Sequence, residues 1–242
     1  MSLSSAFAIH VLELEETDNL LDLCCAPGNK LCLASSLIGS KGSVTGVDVS
    51  KHRLHVCESM VKKYKVPNVR LFLQDARTFD ELALVRGTKG VVPKCHWQSS
   101  VYRKYPCCSG DELYDKVIVD AECTNDGSVK HMQKQMKKNW KNFNFDLLST
   151  QRLADLYKLQ LELLENGFRL LKVNGILVYS TCSMSEKQND EIVLKFLQLH
   201  SNARVLPIEI DDRHKKGLFV VFDPRKGDTD GFFIAKIIKY RE

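Results

Sequence analysis

Two cysteines follow directly on apolar runs in this 242-residue chain. The stretch "ILVYSTCS" (Ile176 to Ser183) runs into Cys182, and "YDKVIVDAECTNDGS" (Tyr114 to Ser128) runs into Cys123. A thiol inside a strand is usually a small core residue, whereas one at the strand's end can ionise and act as a nucleophile. Two such thiols, with the carboxylate of Asp120 close before one of them, have the parts for covalent catalysis. One sulfur attacks, an acid steadies the charge that develops, and the other sulfur helps resolve the adduct.

The other cysteines read differently. Nine in all, an odd number, with no Cys-x-x-Cys spacing, fit free thiols in a reducing compartment. Cys24, Cys25, Cys32 and Cys57 read as core residues. Cys95, His96, Cys107 and Cys108 share a loop-like stretch, but adjacent cysteines hold one tetrahedral ion poorly, so no metal is expected. None of the seven histidines sits in a motif, and none is given a role.

The elements that must position these groups alternate along the chain. "NLLDLC" (Asn19 to Cys24) is a short strand ending in a Pro-Gly break, followed by helical spacing in "KLCLASSLIG", closed by Gly39. "GSVTGVDVS", "NVRLFLQD" and "DKVIVDA" are further strands, and "KHRLHVCESMVKKYK" is a helix that stops before Pro67. "STQRLADLYKLQLELLENGFRLLK" is a long amphipathic helix that Ser149 or Thr150 can cap, after which Gly175 opens the "ILVYSTC" strand. "SEKQNDEIVLKFLQLH" is a helix with Ser185 as cap, and the N-terminus is a short helix capped by Ser4 or Ser5 with Phe7, Val11 and Leu12 inward. This rhythm predicts an α/β fold with an open, mostly parallel sheet and helices on both faces. "ARVLPIEI", "GLFVVFDP" and "GFFIAKIIKY" then follow too closely for parallel crossovers, so the sheet ends in an antiparallel hairpin. A Rossmann-like sheet finished in this way is the architecture of class I S-adenosylmethionine-dependent methyltransferases. The 242 residues are expected to make one such domain, with residues from about 86 to 112 as an insertion.

In such a sheet the ligand site lies beyond the carboxyl ends of the strands. "LDLCCAPGNK" is neither Gly-x-x-x-x-Gly-Lys-Ser/Thr nor Gly-x-Gly-x-x-Gly, which excludes a P-loop and weakens a dinucleotide site. Its turn at Gly28 brings backbone amides near a zwitterionic ligand. Asp48 ends the second strand, where a carboxylate accepts from ribose hydroxyls; Asp75 ends the third, where an adenine amino group can be met; Asp120 ends the fourth. Asp22 orients the turn, and Arg53 in the next helix can reach the ligand. With strands four and five as neighbours, Cys123 and Cys182 face one cleft. That arrangement suits methylation at C5 of a pyrimidine. A thiolate added at C6 makes C5 nucleophilic, and a base must later remove the C5 proton.

"DLCCAPGNK", "VTGVDVS", "QDA", "VIVDAECT" and "LVYSTCS" together resemble, in order, the motifs of the Nol/Nop/Sun family of RNA 5-methylcytosine methyltransferases, over essentially the whole chain. The resemblance implies S-adenosylmethionine as cofactor, bordered by Cys24, Cys25, Ala26, Pro27, Gly28, Asn29, Lys30, Asp48, Asp75 and Asp120, while Arg53 either reaches it or is a surface charge. It implies Cys182 as the attacking nucleophile, Cys123 as the cysteine that helps release the product, and Lys30 and Asp120 beside the base. It also implies RNA, transfer or ribosomal, as the partner. Two departures stand out. The family's Asp-Ala-Pro-Cys is "DAEC" here, which loosens the loop and places a Glu122 charge where it can raise the Cys123 thiol. The family's RNA-binding segment before the first motif is absent, so a missing segment or a protein partner is expected to supply those contacts.

The net charge of +5 fits an anionic partner. "KHMQKQMKKNWK" (Lys130 to Lys141) is either a solvated helix face or an RNA-contacting arm, with Lys134, Lys137 and Lys138 on phosphates and Trp140 stacked on a base. A catalytically silent, RNA-binding subunit of the same fold is the alternative reading, favoured by the "DAECT" change and opposed by the presence of Cys182. A small-molecule methyltransferase has no need of two such cysteines. No run is long and apolar enough to span a membrane and no secretory signal stands at the N-terminus, so a soluble intracellular protein is expected, its compartment open.

Overall fold

The computed structural model describes residues 1–85, 95–99, 108–109, 112–131, 133, 150–227 and 229–241. The helices are α1 (Leu3–His10), α2 (Asn29–Ile38), α3 (Lys51–Lys63), α4 (Thr150–Arg169) and α5 (Asp190–Leu199). The strands are β1 (Asn19–Asp22), β2 (Ser43–Asp48), β3 (Val69–Leu73), β4 (Leu84–Val85), β5 (Trp97–Gln98), β6 (Cys108–Ser109), β7 (Tyr114–Asp120), β8 (Leu171–Thr181), β9 (Ala203–Leu206), β10 (Lys215–Lys216), β11 (Phe219–Phe222) and β12 (Phe232–Lys239).

The main sheet runs in the order β10-β11-β12-β8-β7-β1-β2-β3-β5, with β9 also paired to β12. Strands β3, β2, β1, β7 and β8 are parallel. Strand β12 is antiparallel to both β8 and β11, which makes the expected antiparallel end. From β1 the chain builds outward to β2 and β3 on one side, then returns to lay β7 and β8 on the other. Strand β1 is therefore the switch point, and the crevice beyond its carboxyl end is where such a sheet holds ligands.

Both faces of the sheet are covered, which is why its central strands read as unbroken apolar runs. Leu20, Ile118 and Val178 turn to one face, joining Leu31, Ala34 and Ile38 of α2 and Leu54 and Val61 of α3. Leu21, Val117, Val119 and Leu177 turn to the other, against Leu163, Leu164 and Phe168 of α4 and Ile192, Val193 and Phe196 of α5. The one-residue alternation fixes register: a slip by one position would exchange the two faces, each lined for different helices. No helix among the described residues is long and apolar enough to cross a membrane.

Several boundaries differ from the sequence reading. The cap of α1 is Ser2, whose hydroxyl accepts from Ser5 N, while Ser4 is fully buried. Strand β8 opens at Leu171 rather than Gly175, with a register shift against β7 that the polar Lys172 and Asn174 (φ 64°) disguise in sequence. Strand β3 ends at Leu73, so Asp75 stands in the loop beyond it. The helix expected from Ser185 is split: Glu186–Gln188 form a 3-10 turn with no side-chain cap from Ser185, and α5 starts at Asp190. Ser149 and most of the residues from 86 to 112 lie outside the described residues.

Candidate active site

The ends of β1, β2, β7 and β8 open on a cleft of about 870 Å³. Its walls include Cys24, Pro27, Asn29, Lys30, Asp48, Arg53, Asp75, Asp120, Cys123 and Cys182. Of the expected cofactor-bordering residues, Cys25 and Ala26 turn their side chains into the core under the turn. Gly28 adopts φ 104° as the N-cap of α2, and a Cβ there would lie 2.8 Å from Cys57 Sγ, so the turn requires glycine.

The turn is held from below by carboxylates. Asp48 accepts from Ala26 N at 3.2 Å and from Ser50 N at 2.8 Å, and Arg53 donates to the Ala26 carbonyl while its Nη1 lies 3.9 Å from Asp48. Asp22 accepts from Cys24 N at 3.2 Å through Oδ1, and its buried Oδ2 has no hydrogen-bond partner. Burial, and then the charge of Asp120, push the Asp22 carboxyl up to about 7. Burial and the same carboxylates push the Cys24 thiol well above its ordinary range, which makes it inert. Asp75 lines the cleft with Arg77 gripping both of its oxygens, at 2.6 to 3.1 Å, which holds its carboxyl below the usual range.

Beside the turn, Lys30 Nζ donates to Asp120 Oδ2 at 2.6 Å, and Ser180 Oγ donates to Asp120 Oδ1 at 2.9 Å. The ammonium sits 5.0 Å above the Phe232 ring. The parallel pairing of Asp120 with Ser180 brings the next residues of the two strands together, and Cys123 Sγ and Cys182 Sγ lie 3.3 Å apart. Cys182 also donates to Asn125 Oδ1 at 3.0 Å, and Asn125 donates to the Cys123 carbonyl at 2.9 Å.

Two sulfurs at this distance titrate as a pair. The hydrogen bond from Cys182 holds the Cys123 thiol below its ordinary range against the effect of burial. The same contact, then burial and the charges of Cys123 and Asp120, push the Cys182 thiol up, with Lys30 pulling it down. The expected rise of Cys123 from the Glu122 charge is not found. Asp120 is the carboxylate that opposes its ionisation, and Glu122 is exposed at the wall of the cleft.

Three site residues escaped the sequence reading. Asn125 (φ 55°) holds the sulfur pair, and the Asn-Asp-Gly turn it opens was its available signal. Gln160 of α4 is fully buried and donates to the Glu122 carbonyl at 2.8 Å and to Gln188 Oε1 at 3.3 Å. Gln188 Oε1 accepts from Thr124 N at 3.1 Å and its Nε2 donates to Thr124 Oγ1 at 2.8 Å. A glutamine on the Leu156, Leu163 and Leu164 stripe of α4 was the visible anomaly. Lys134, Lys137, Lys138 and Trp140 lie outside the described residues.

Residues 9–238 match the family model described as 16S rRNA methyltransferase RsmB/F. The chain is 28% identical over 243 residues to the probable ribosomal RNA small subunit methyltransferase B of Bacillus subtilis (strain 168), covering 98% of this chain and 46% of that protein. It is 30% identical over 236 residues to the ribosomal RNA small subunit methyltransferase B of Serratia proteamaculans (strain 568), covering 98% of this chain and 46% of that one. The chain thus spans less than half the length of these curated relatives. Among solved structures, NSun6 from Pyrococcus horikoshii, crystallised with SFG, is 25% identical with a TM-score of 0.75, covering all of this chain and 53% of that one. The fold is that of the class I methyltransferases, as the alternation of strands and helices predicted.

Proposed function

The chain belongs to the 16S rRNA methyltransferase RsmB/F family, the Nol/Nop/Sun group its motifs resemble, and we propose that it methylates C5 of a cytosine in RNA through a covalent adduct to Cys182. The observation that carries this reading is the contact of Cys123 Sγ and Cys182 Sγ, 3.3 Å apart in the cleft that also holds the Lys30–Asp120 pair.

The cleft fits S-adenosylmethionine. No side chain caps the N-terminus of α2, so its first backbone amides suit the carboxylate of the methionine end. Asp48, buried at the end of β2, suits the ribose hydroxyls, and Asp75 the adenine amino group. Cys24, Pro27, Asn29 and Arg53 would border the rest. Bound there, S-adenosylmethionine supplies an electrophilic methyl group.

The protein's own part begins with ionisation of the sulfur pair, which releases one proton to solvent. That proton comes from Cys123, and the Cys123 thiolate takes the proton of Cys182 across the 3.3 Å contact as Cys182 attacks, with the Lys30 charge favouring the thiolate left on Cys182. Cys182 forms a bond to C6, and the ring electrons move toward C5 and N3, where the Lys30 ammonium, oriented by Asp120, steadies them. With Cys182 bonded to carbon, the charge that opposed a second ionisation is gone, so Cys123 gives its proton to solvent and is free to act as a base. After C5 has gained its methyl group, Cys123 takes the C5 proton. The C5–H electrons restore the double bond, and the bond from C6 to Cys182 breaks. The cytosine must leave its stack to enter the cleft, which favours loops and distorted helices. The named relatives support small-subunit ribosomal RNA as the substrate class. RNA contacts beyond residues 1–242, from a further segment or a partner protein, are part of the same proposal, as is the assignment of this chain to one methyltransferase domain.

The test is a denaturing gel of the Cys123→Ala variant mixed with cellular RNA and S-adenosylmethionine. A heat-stable protein–RNA adduct, lost when Cys182→Ala is added, is the expected result. No adduct, with cofactor binding confirmed by calorimetry, would favour the silent RNA-binding subunit.

A further inference from the structure

A second group of chemically capable side chains lies outside the cleft. His55 and Glu58, three residues apart on α3, share one face of the helix. His96 reaches the same point from the residue before β5, where its backbone N–H donates to the Leu71 carbonyl of β3 at 2.8 Å. His55 Nδ1 lies 3.6 Å and His96 Nε2 lies 3.7 Å from the same oxygen, Glu58 Oε2, and the three ligand atoms all fall within 4.8 Å of one another. The two rings meet edge to face with centroids 5.2 Å apart.

Three features distinguish this group from an ordinary surface ion pair. Both nitrogen–oxygen separations are too long for hydrogen bonds, and His96 Nε2 is buried with no hydrogen-bond partner. The other Glu58 oxygen is occupied by Lys62, which turns Oε2 toward the two rings and holds the carboxyl below its usual range. The separations also match a coordination edge. Nitrogen and oxygen ligands at about 2.0–2.1 Å from a tetrahedral zinc ion lie roughly 3.4 Å from each other. Each nitrogen–oxygen separation is within a few tenths of an ångström of that edge, and closing the group, whose ligand atoms fall within 4.8 Å of one another, asks the two rings to approach by up to roughly 1.4 Å. The half-exposed His55 leaves an entry path and room for water in the fourth position.

We propose that His55, Glu58 and His96 form a binding site for one borderline divalent transition-metal ion of the zinc class, fastening β5 at the sheet edge to α3. Two imidazoles and one carboxylate select such ions over magnesium or calcium, which take oxygen ligands. The ion ties a short edge strand, held to β3 by only two residue pairs, to a helix rooted in the core. The sequence reading weighed His96 only with Cys95, Cys107 and Cys108 and expected no metal among them; the companions of His96 proposed here come from α3.

The whole chain, stripped of metal with a chelator, is dialysed against Zn2+ and, separately, against Co2+. One ion per chain is expected, and Co2+ should show ligand-field bands without the near-ultraviolet charge-transfer band of a thiolate ligand. That spectrum separates this site from the nine cysteines. His96→Gln and Glu58→Gln should each weaken binding by at least ~10-fold. His55→Gln, on the exposed side of the helix, should do the same with an unchanged circular dichroism spectrum, so that loss of binding is not loss of fold. No stoichiometric ion in the wild-type chain, undiminished binding in the two histidine variants, or a thiolate band would each overturn the proposal.

Discussion

Replacing Asp22 by asparagine should change how stability depends on pH, with little change in the fold. Asp22 is 1% exposed, and burial followed by the charge of Asp120 moves its carboxyl from an ordinary 3.8 to about 7. In the unfolded chain it has released its proton by pH 5, while in the folded chain it keeps it until about pH 7. The unfolded state therefore binds fewer protons through this window, and stability falls as pH rises through it. At ~1.36 kcal/mol per pH unit the full loss is roughly 4 kcal/mol, of which about 2.5 kcal/mol falls between pH 5 and pH 8. Asparagine keeps the oxygen that accepts from Cys24 N and cannot ionise. Any cost of its unpartnered amide is the same at both pH values and cancels in the difference. Urea unfolding of both proteins at pH 5 and pH 8 should show the wild-type chain losing about 2.5 kcal/mol relative to Asp22→Asn. Profiles that stay parallel to within about 0.5 kcal/mol would mean that Asp22 is ionised in the folded state, and the reasoning from its burial would fail.

Gly46→Ala should destabilise the fold by ~1–3 kcal/mol in chemical unfolding, because a Cβ there collides with Leu31 Cδ1 and lies 2.9 Å from Cys25 Sγ beneath the cofactor turn. Asp75→Ala should weaken S-adenosylmethionine binding by about 10-fold in calorimetry, the scale of a hydrogen bond to a charged acceptor, whereas Arg77→Ala only frees the carboxylate and should not weaken it. Equal losses in the two variants would mean that Asp75 works only through Arg77. Gln160→Leu leaves the Glu122 carbonyl without its buried donor and should cost ~1–3 kcal/mol of stability. It should also lower kcat for RNA methylation without raising the KM for cofactor, a split that a general loss of folding would not produce.

The strands and the carboxylates at their ends were legible because short unbroken apolar runs and an acidic terminus are local signals, and Asp22, Asp48 and Asp120 all stand at the ends of parallel strands. Cap positions were less so. The N-terminal serines offer several hydroxyls of equal local merit, and only tertiary packing, which buries Ser4, leaves Ser2 to cap. The cysteine pair could be inferred because two neighbouring parallel strands must deliver their next residues to one edge. The groups that hold it could not, since their partners are remote in sequence. Gln160 reaches Glu122, and Gln188 reaches Thr124.

Those contacts also answer the question raised by Glu122. A proline before Cys123 would restrict the loop by locking one dihedral and reducing the freedom of the unfolded chain. Here the same segment is restrained through its polar groups instead. The Glu122 carbonyl is tied to Gln160, both the N–H and the hydroxyl of Thr124 to Gln188, and the Cys123 carbonyl to Asn125, which also accepts from Cys182. Each bond adds only ~0.5–1.5 kcal/mol, but together they fix the main chain on both sides of Cys123. Loss of the proline therefore does not amount to loss of an ordered base. It moves the loop's rigidity from a ring in the backbone to side chains of α4 and the turn after β8, and makes that rigidity sensitive to substitution at Gln160 and Gln188.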